Sequence, residues 1–214
     1  MAGPGHDALL LIVDVQRDFC PGGALAVADG DAVVPVINAL ARRFADAGAH
    51  VVLTQDWHPP GHLSFASRHP GRRAFETVEM PYGPQTLWPD HCVIGTPGAE
   101  FHPDLDTSGA ELVLRKGFRP EIDSYSAFVE NDRATPTGLA GYLRERGLGR
   151  LFLAGLATSY CVAWSALGAA EAGFKAIVVE DACRAIDLDG SLDRARAGLR
   201  AAGVAVVRSA EMPG

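Results

Sequence analysis

Four apolar runs in this 214-residue chain end in side chains able to move protons, bind metal or attack carbon. Asp14 closes LLLIV, Asp56 closes HVVLTQ and is followed by His58, Lys116 closes ELVLR, and Cys161 follows RLFLAGLATSY. A cysteine in the first turn of a helix meets the positive end of the helix dipole and unpaired backbone N–H groups, which favours thiolate over thiol. A neighbouring Lys116 ammonium adds to that effect, and Asp14 is of the type that receives a proton and returns it to a leaving amine. The same N–H groups would hold a developing oxyanion. Taken singly, each residue has a plainer role: Asp14 caps a loop, Lys116 is a solvated charge, and Cys161 packs as a small hydrophobe. Their joint delivery to one edge of a sheet implies a nucleophilic thiol with an acid–base partner.

A second constellation lies beside the first. Asp56 and His58 are an i, i+2 carboxylate and imidazole pair, and His91 is available as a third donor from a distant loop. Oxygen and nitrogen donors without thiolate suit zinc, iron or manganese and leave positions open for water and substrate. By spacing alone, His62, His69 and His102 are equally available, whereas Cys92 next to His91 points elsewhere as a sequence neighbour. Phe19, Trp88 and Tyr125 flank these positions and would form an apolar slot for a flat ring.

The elements that must position these residues are legible from periodicity. Six strand-length runs, LLLIVD, HVVLTQD, ELVLRK, RLFLAG, AIVVED and VAVVRS, are rich in Val, Leu and Ile and largely continuous, as in strands covered on both faces. Helical spacing joins Val33, Val36, Ile37, Leu40 and Phe44, and again Leu192, Ala195, Leu199 and Ala202. Four times such a segment passes through glycine into a strand, at DAG-AHVVL, ERG-LGRLFL, EAG-FKAIVV and AAG-VAVV, where glycine suits the left-handed residue that closes a helix. The expected fold is an α/β three-layer sandwich around a central six-stranded, mainly parallel sheet with right-handed crossovers. Ligands in such sheets bind beyond the carboxyl ends of the strands, where the four chemical positions fall.

Residues 57–110 break the rhythm: they hold eight of the fourteen prolines and five of the seven histidines, with little apolar periodicity. A connection of that length is functional or disordered, and Trp57, Phe65, Phe75, Tyr82, Trp88 and Phe101 argue against disorder. With 48% hydrophobic residues, residues 1–214 are expected to form a single domain in which about 57–110 is a metal-binding loop region. The formal net charge of -7 leaves no basic surface for nucleic acid. The start, MAGPGHDALLLIVD, lacks a cationic n-region and a membrane-length apolar run, so a cytoplasmic, membrane-free protein is expected. Cys20, Cys92, Cys161 and Cys183 are scattered and read as free thiols. The helices show no decisive outer apolar stripe, which leaves a homo-oligomer open.

The segments DVQRDF, TQDWHPPGHLSFAS, LWPDHCVIGTPGAEFHP, LRKG, DSYSAF and GLATSYCV, in this order, resemble the nicotinamidase (pyrazinamidase) branch of the isochorismatase-like hydrolases. The resemblance implies a catalytic triad of Asp14, Lys116 and Cys161 and one divalent ion, zinc first and iron or manganese as alternatives, on Asp56, His58 and His91. It also implies a cis Leu156–Ala157 peptide that aims the Ala157 and Cys161 N–H groups at an oxyanion, and a ring sandwiched by Phe19 and Trp88. The implied reaction is hydrolysis of nicotinamide to nicotinate and ammonia through a Cys161 thioester, in NAD salvage. Two departures stand out. Ser159 occupies a position where many relatives carry an acid, and Ser64 one where some place another metal-binding histidine. Another amidase of the superfamily, acting on a carbamoyl or ureido substrate, would share the triad but is expected to lack the metal set. Isochorismatase action on a vinyl ether would not need the thiol. A nucleotide-binding or flavodoxin-like module would need a glycine-rich phosphate loop, but VQRDFCPGG follows Asp14.

Overall fold

The structure, a computed structural model, describes residues 4–212. All six expected strands form: β1 (Ala8–Val13), β2 (His50–Asp56), β5 (Leu112–Lys116), β6 (Arg150–Leu156), β7 (Lys175–Arg184) and β8 (Ala205–Val207), with a short hairpin, β3 (Thr77–Met80) and β4 (Gly83–Thr86), lying outside the main sheet. The main sheet has the order β5-β2-β1-β6-β7-β8, and every pairing in it is parallel, not merely most of them. The helices are α1 (Val33–Asp46), α2 (Leu139–Glu145), α3 (Ala163–Glu171) and α4 (Ser191–Ala201).

The layers follow from the direction of each crossover. From β1 the chain steps to β2 through α1; it later returns from the edge strand β5 through α2 to β6 and continues outward through α3 and α4 to β7 and β8. Right-handed crossovers in opposite directions put α1 on one face and α2, α3 and α4 on the other. The order reverses at β1, between β2 and β6, and their carboxyl ends open a crevice there. β1 is the most deeply placed strand, with every residue at 0–1% exposure, which is why its sequence is continuously apolar rather than alternating.

Each of the four glycines expected to close a helix does so. Gly48, Gly147, Gly173 and Gly203 have φ of 65°, 69°, 89° and 71°. In each case the N–H of the following residue bonds back five residues, Ala49 to Phe44, Leu148 to Leu143, Phe174 to Ala169 and Val204 to Leu199, all at 2.9 Å. This is the Schellman pairing, which satisfies the last carbonyls and turns the chain toward the sheet within two residues.

The long segment is more ordered than its proline content suggests. Besides the hairpin, it folds back on itself through isolated bridges between His58 and Val93 and between Phe65 and Trp88. His58 N–H donates to Cys92 O at 3.0 Å and Ile94 N–H to His58 O at 2.9 Å. A second pair, Ala66 N–H to Trp88 O and Trp88 N–H to Ser64 O, both 2.8 Å, closes the other end. The pairing sets His91 against His58 although 33 positions separate them in sequence. Among the described residues, no helix is long and apolar enough to cross a membrane.

Candidate active site

Lys116, the last residue of β5, is 1% exposed, and its ammonium is the hub of the crevice. Nζ lies 2.8 Å from Asp14 Oδ2, 2.6 Å from Asp56 Oδ1, 2.8 Å from Ser124 O and 3.5 Å from Cys161 Sγ. Burial alone would lower its pKa, but the carboxylates of Asp14 and Asp56 outweigh that and hold it well above the usual lysine range. The plainer reading of a solvated surface charge therefore fails for Lys116.

Asp14 follows β1 with a left-handed backbone, φ 48°, and is wholly buried. Its Oδ1 accepts a 2.5 Å hydrogen bond from Thr54 Oγ1 on β2. Burial, helped by the Asp56 charge and only partly offset by Lys116, raises its pKa above that of an ordinary aspartate. Such a carboxylate is a better proton acceptor than one in water.

Cys161 departs from the sequence reading in two ways. It sits in a π-helical turn, Thr158–Val162, that precedes α3, rather than in a regular first turn. Burial pushes its thiol well above the usual range; Lys116 pulls it down, while Asp14 and Asp56 push it up. Burial and the two carboxylates therefore oppose the helix-end and lysine effects that favour a thiolate. The Leu156–Ala157 peptide before the turn is cis, as expected. Ser159 Oγ donates to Ile186 O, tying the turn to the loop after β7.

The metal set converges as well. One ligand atom from each of Asp56, His58 and His91 lies within 4.8 Å of the others, and all three residues are buried. His58 Nδ1 and His91 Nδ1 each bond a backbone carbonyl, Gly117 O and Pro89 O, at 2.8 Å. Both rings thus turn Nε2 toward Asp56 Oδ2, at 3.5 and 3.8 Å, and His58 Nε2 is buried without a hydrogen-bond partner. Imidazoles fixed through Nδ1 with Nε2 converging on a carboxylate are what a divalent cation requires, so the residues fit such an ion. Gly117, at φ 69°, permits this: a Cβ there would lie 2.4 Å from His58 Cε1. Asp56 is held in register by Gln16, whose amide exchanges 2.8 Å bonds with Asp56 N–H and O.

The other histidines do not join. His62 stacks on His58 at 4.5 Å, but its Nε2 bonds Arg119 O and its Nδ1 bonds Ser64 Oγ, both 2.8 Å. Ser64 is thereby engaged by His62. His69 bonds Leu63 O, and His102 accepts from Asp104 N–H.

Phe19, Trp88 and Tyr125 line one pocket with Asp56, His91, Ala157 and Cys161, so the aromatic residues, the thiol and two of the candidate ligands share it. Sequence reasoning missed Tyr160 and Asp123, which line the same pocket. It also missed Gln85 on the hairpin, whose Nε2 bonds Asp123 Oδ2 at 2.8 Å and Tyr125 Oη at 2.9 Å. Tyr160 borders Cys161 and Asp123 belongs to DSYSAF, so proximity to those segments was the available signal; Gln85 had none. Asp56 also does more than the sequence suggested, since Oδ1 binds Lys116 while Oδ2 faces the histidines. Burial would raise its pKa, but Lys116 and His58 overcome this and hold it well below the usual range.

Comparison with known proteins is concordant. Residues 8–211 match the Isochorismatase domain family. The nicotinamidase of Acinetobacter baylyi is 52% identical over 204 residues, covering 95% of this chain and 94% of that one. The solved nicotinamidase/pyrazinamidase of Acinetobacter baumanii superposes with a TM-score of 0.94 at 53% identity, covering 97% of this chain and 99% of the other. The pyrazinamidase of Pyrococcus horikoshii, solved in complex with zinc, gives a TM-score of 0.76 at 37% identity over 94% and 99% of the two chains. The chain belongs to the isochorismatase family, in its nicotinamidase branch.

Proposed function

We propose that the chain is a metal-dependent cysteine amidohydrolase that converts nicotinamide to nicotinate and ammonia, and pyrazinamide by the same route. The observation that carries this reading is the convergence of Asp14, Lys116 and Cys161 on Asp56, which also belongs to the metal set, beneath a slot lined by Phe19, Trp88 and Tyr125. The names of the relatives support the substrate, and the zinc complex of one of them supports the metal, with iron and manganese the alternatives for these donors.

Asp14 accepts the Sγ proton as the sulfur attacks the carboxamide carbon. The negative charge that develops on oxygen is met by the Ala157 and Cys161 N–H groups. Collapse of the tetrahedral adduct breaks the C–N bond, and Asp14 returns the proton to the departing ammonia. Asp14 then takes a proton from water as its oxygen attacks the thioester, releasing nicotinate and restoring the thiol. Lys116 keeps Asp14 anionic enough to act and stays charged throughout. A divalent ion held by Asp56, His58 and His91 would supply a Lewis-acid anchor for the pyridine nitrogen, so its contribution is orientation of the ring. Phe19, Trp88 and Tyr125 flank the ring and exclude water.

Residues 1–214 act as one domain, with the region about 57–110 supplying His91 and Trp88. Free thiols at Cys20, Cys92, Cys161 and Cys183 suit the reducing cytoplasm, where the nicotinate would feed NAD salvage. The carbamoyl or ureido reading leaves the histidines and the aromatic slot without a role. The test is ammonia release from nicotinamide, with metal content measured on the same sample. Cys161→Ala is expected to abolish release and chelation to depress it strongly; activity retained by either preparation would overturn the corresponding assignment.

A further inference from the structure

Asp123 is a buried carboxylate in the substrate pocket that the reaction does not use. It is 2% exposed and lines the slot with Trp88, Tyr125 and Cys161. Among the described residues, no lysine or arginine pairs with it: its Oδ1 accepts from Ser124 N–H and its Oδ2 from Gln85 Nε2, each at 2.8 Å. Two N–H donors aimed at two oxygens suit a carboxylate, not a carboxylic acid. Gln85 is itself 1% exposed and braced by Asn131 Nδ2 at 3.1 Å and Tyr82 Oη at 3.2 Å, so the hairpin and the following loop are built to hold this charge where it stands. Burying an isolated carboxylate is costly, and the pocket would be more apolar without it.

A charge count gives Asp123 a purpose. The site holds three carboxylates, Asp14, Asp56 and Asp123, against the single ammonium of Lys116. A divalent cation on Asp56, His58 and His91 brings that sum to zero. Without Asp123 the loaded site would carry a net positive charge and would favour an anion. A neutral ring amide enters the balanced site without disturbing it. The carboxylate formed from it adds one negative charge to the pocket that Asp123 also lines.

We infer that Asp123 is a specificity-determining residue: it makes the pocket select neutral ring carboxamides over ring carboxylates and so favours departure of the product. The inference rests on the nicotinamidase reading above. Two unit charges about 7 Å apart at an effective dielectric of about 20 alter an equilibrium by roughly fiftyfold, and water at the pocket mouth reduces this toward tenfold.

The experiment measures binding, not turnover. In metal-loaded Cys161→Ala protein, dissociation constants for nicotinamide and nicotinate are determined by calorimetry at neutral pH, and their ratio is compared with that in Cys161→Ala proteins also carrying Asp123→Asn or Asp123→Ser. Serine keeps an acceptor for one of the two donors and leaves room for water, so it covers the case in which asparagine, crowding Gln85 with a second amide, fails to fold. The expected result is a shift of the ratio toward nicotinate by roughly tenfold or more in each folded variant, compared at equal metal content. A ratio unchanged within about twofold in either folded variant overturns the inference while leaving the proposed function standing. If the Cys161→Ala parent binds neither ring, the proposed function itself fails, and this inference with it.

Discussion

Replacing Lys116 with methionine tests whether the ammonium holds the crevice together or merely fills it. Methionine has nearly the same length and shape, so packing is largely kept while the charge and its donors disappear. What remains are two carboxylates, Asp14 at 0% and Asp56 at 4% exposure, that had been bonded to Nζ at 2.8 and 2.6 Å. Removing one partner of a buried ion pair costs about 3–5 kcal/mol. An independent route gives a similar number. The cheapest relief is for Asp14, already raised by burial, to fold protonated. Keeping a proton at pH 7 on a group whose unfolded pKa is about 3.9 costs about 4 kcal/mol, at about 1.4 kcal/mol per pH unit.

That origin fixes the pH dependence. A group whose folded pKa is raised contributes stability that is fully present below its unfolded pKa and is lost as pH rises through the folded one. The Lys116→Met protein should therefore be most handicapped at pH 7 and recover on acidification, the gap to the parent narrowing from about 4 kcal/mol at pH 7 to about 1.5 kcal/mol at pH 5. In the parent, Lys116 and His58 depress the pKa of Asp56, so the parent loses that contribution only below this window. The assay is urea unfolding followed by circular dichroism at pH 5, 6 and 7, on protein as purified and after chelation. A gap that stays constant across this range, or that is under about 1 kcal/mol at pH 7, would refute the reasoning, because lost packing does not titrate.

Three further outcomes follow from single contacts. Thr54→Val removes the 2.5 Å donor to Asp14 Oδ1, so the acid limb of the pH–rate profile for nicotinamide hydrolysis should move up by about one unit, as loss of a hydrogen bond to a charged group implies; an unmoved limb would argue against Asp14 as the base. Gly117→Ala would bring a Cβ to 2.4 Å from His58 Cε1, and zinc affinity, read by competition with a chromogenic chelator, should fall about 10–100-fold; unchanged affinity would remove His58 from the ligand set. Gly203→Ala meets no atom within 4 Å but must keep φ near 71°, so it should cost about 1 kcal/mol in urea unfolding and leave turnover unaltered; a neutral substitution would mean the helix end does not depend on that backbone state.

What could be read in advance divides along a physical line. Burial on both faces writes itself into β1, β2 and β6 as continuous apolar runs, and the glycines after α1, α2, α3 and α4 announce helix ends because few other residues tolerate that backbone state. Asp14, Asp56 and Cys161 were visible because each terminates or follows such a run, and Lys116 because it ends an apolar run, although β5 is an edge strand whose residues before Lys116 are only partly covered. The hairpin was not, since β3 and β4 read TVEM and GPQT, without alternation, and owe their pairing to the folding back of the segment around them. Gln16, Asp18 and Gln85 were invisible for the same reason. Asp18 Oδ2 receives Cys92 N–H at 2.7 Å and so steadies the residue after His91, but nothing local in either segment predicts that 74-residue contact.

The state of the thiol is the clearest case of a property set at a distance. Local rules, a helix start and a nearby lysine, point to a thiolate; they are opposed by burial, and Lys116 does not face Cys161 alone. Its short contacts are to Asp14 and Asp56, and the sulfur is the most distant of its partners at 3.5 Å. Asp56 in turn divides its two oxygens between that ammonium and the histidine side. A cation on His58, His91 and Asp56 would draw the Asp56 charge away from Lys116 and leave more of the ammonium's field for Asp14 and Cys161, lowering the pKa of both. The proposed metal site and the proposed nucleophile are therefore coupled through one carboxylate. Chelation should then do more than loosen the ring: it should shift the acid limb of any residual activity to higher pH. That shift separates electrostatic coupling from simple loss of substrate orientation, which would lower the rate at every pH alike.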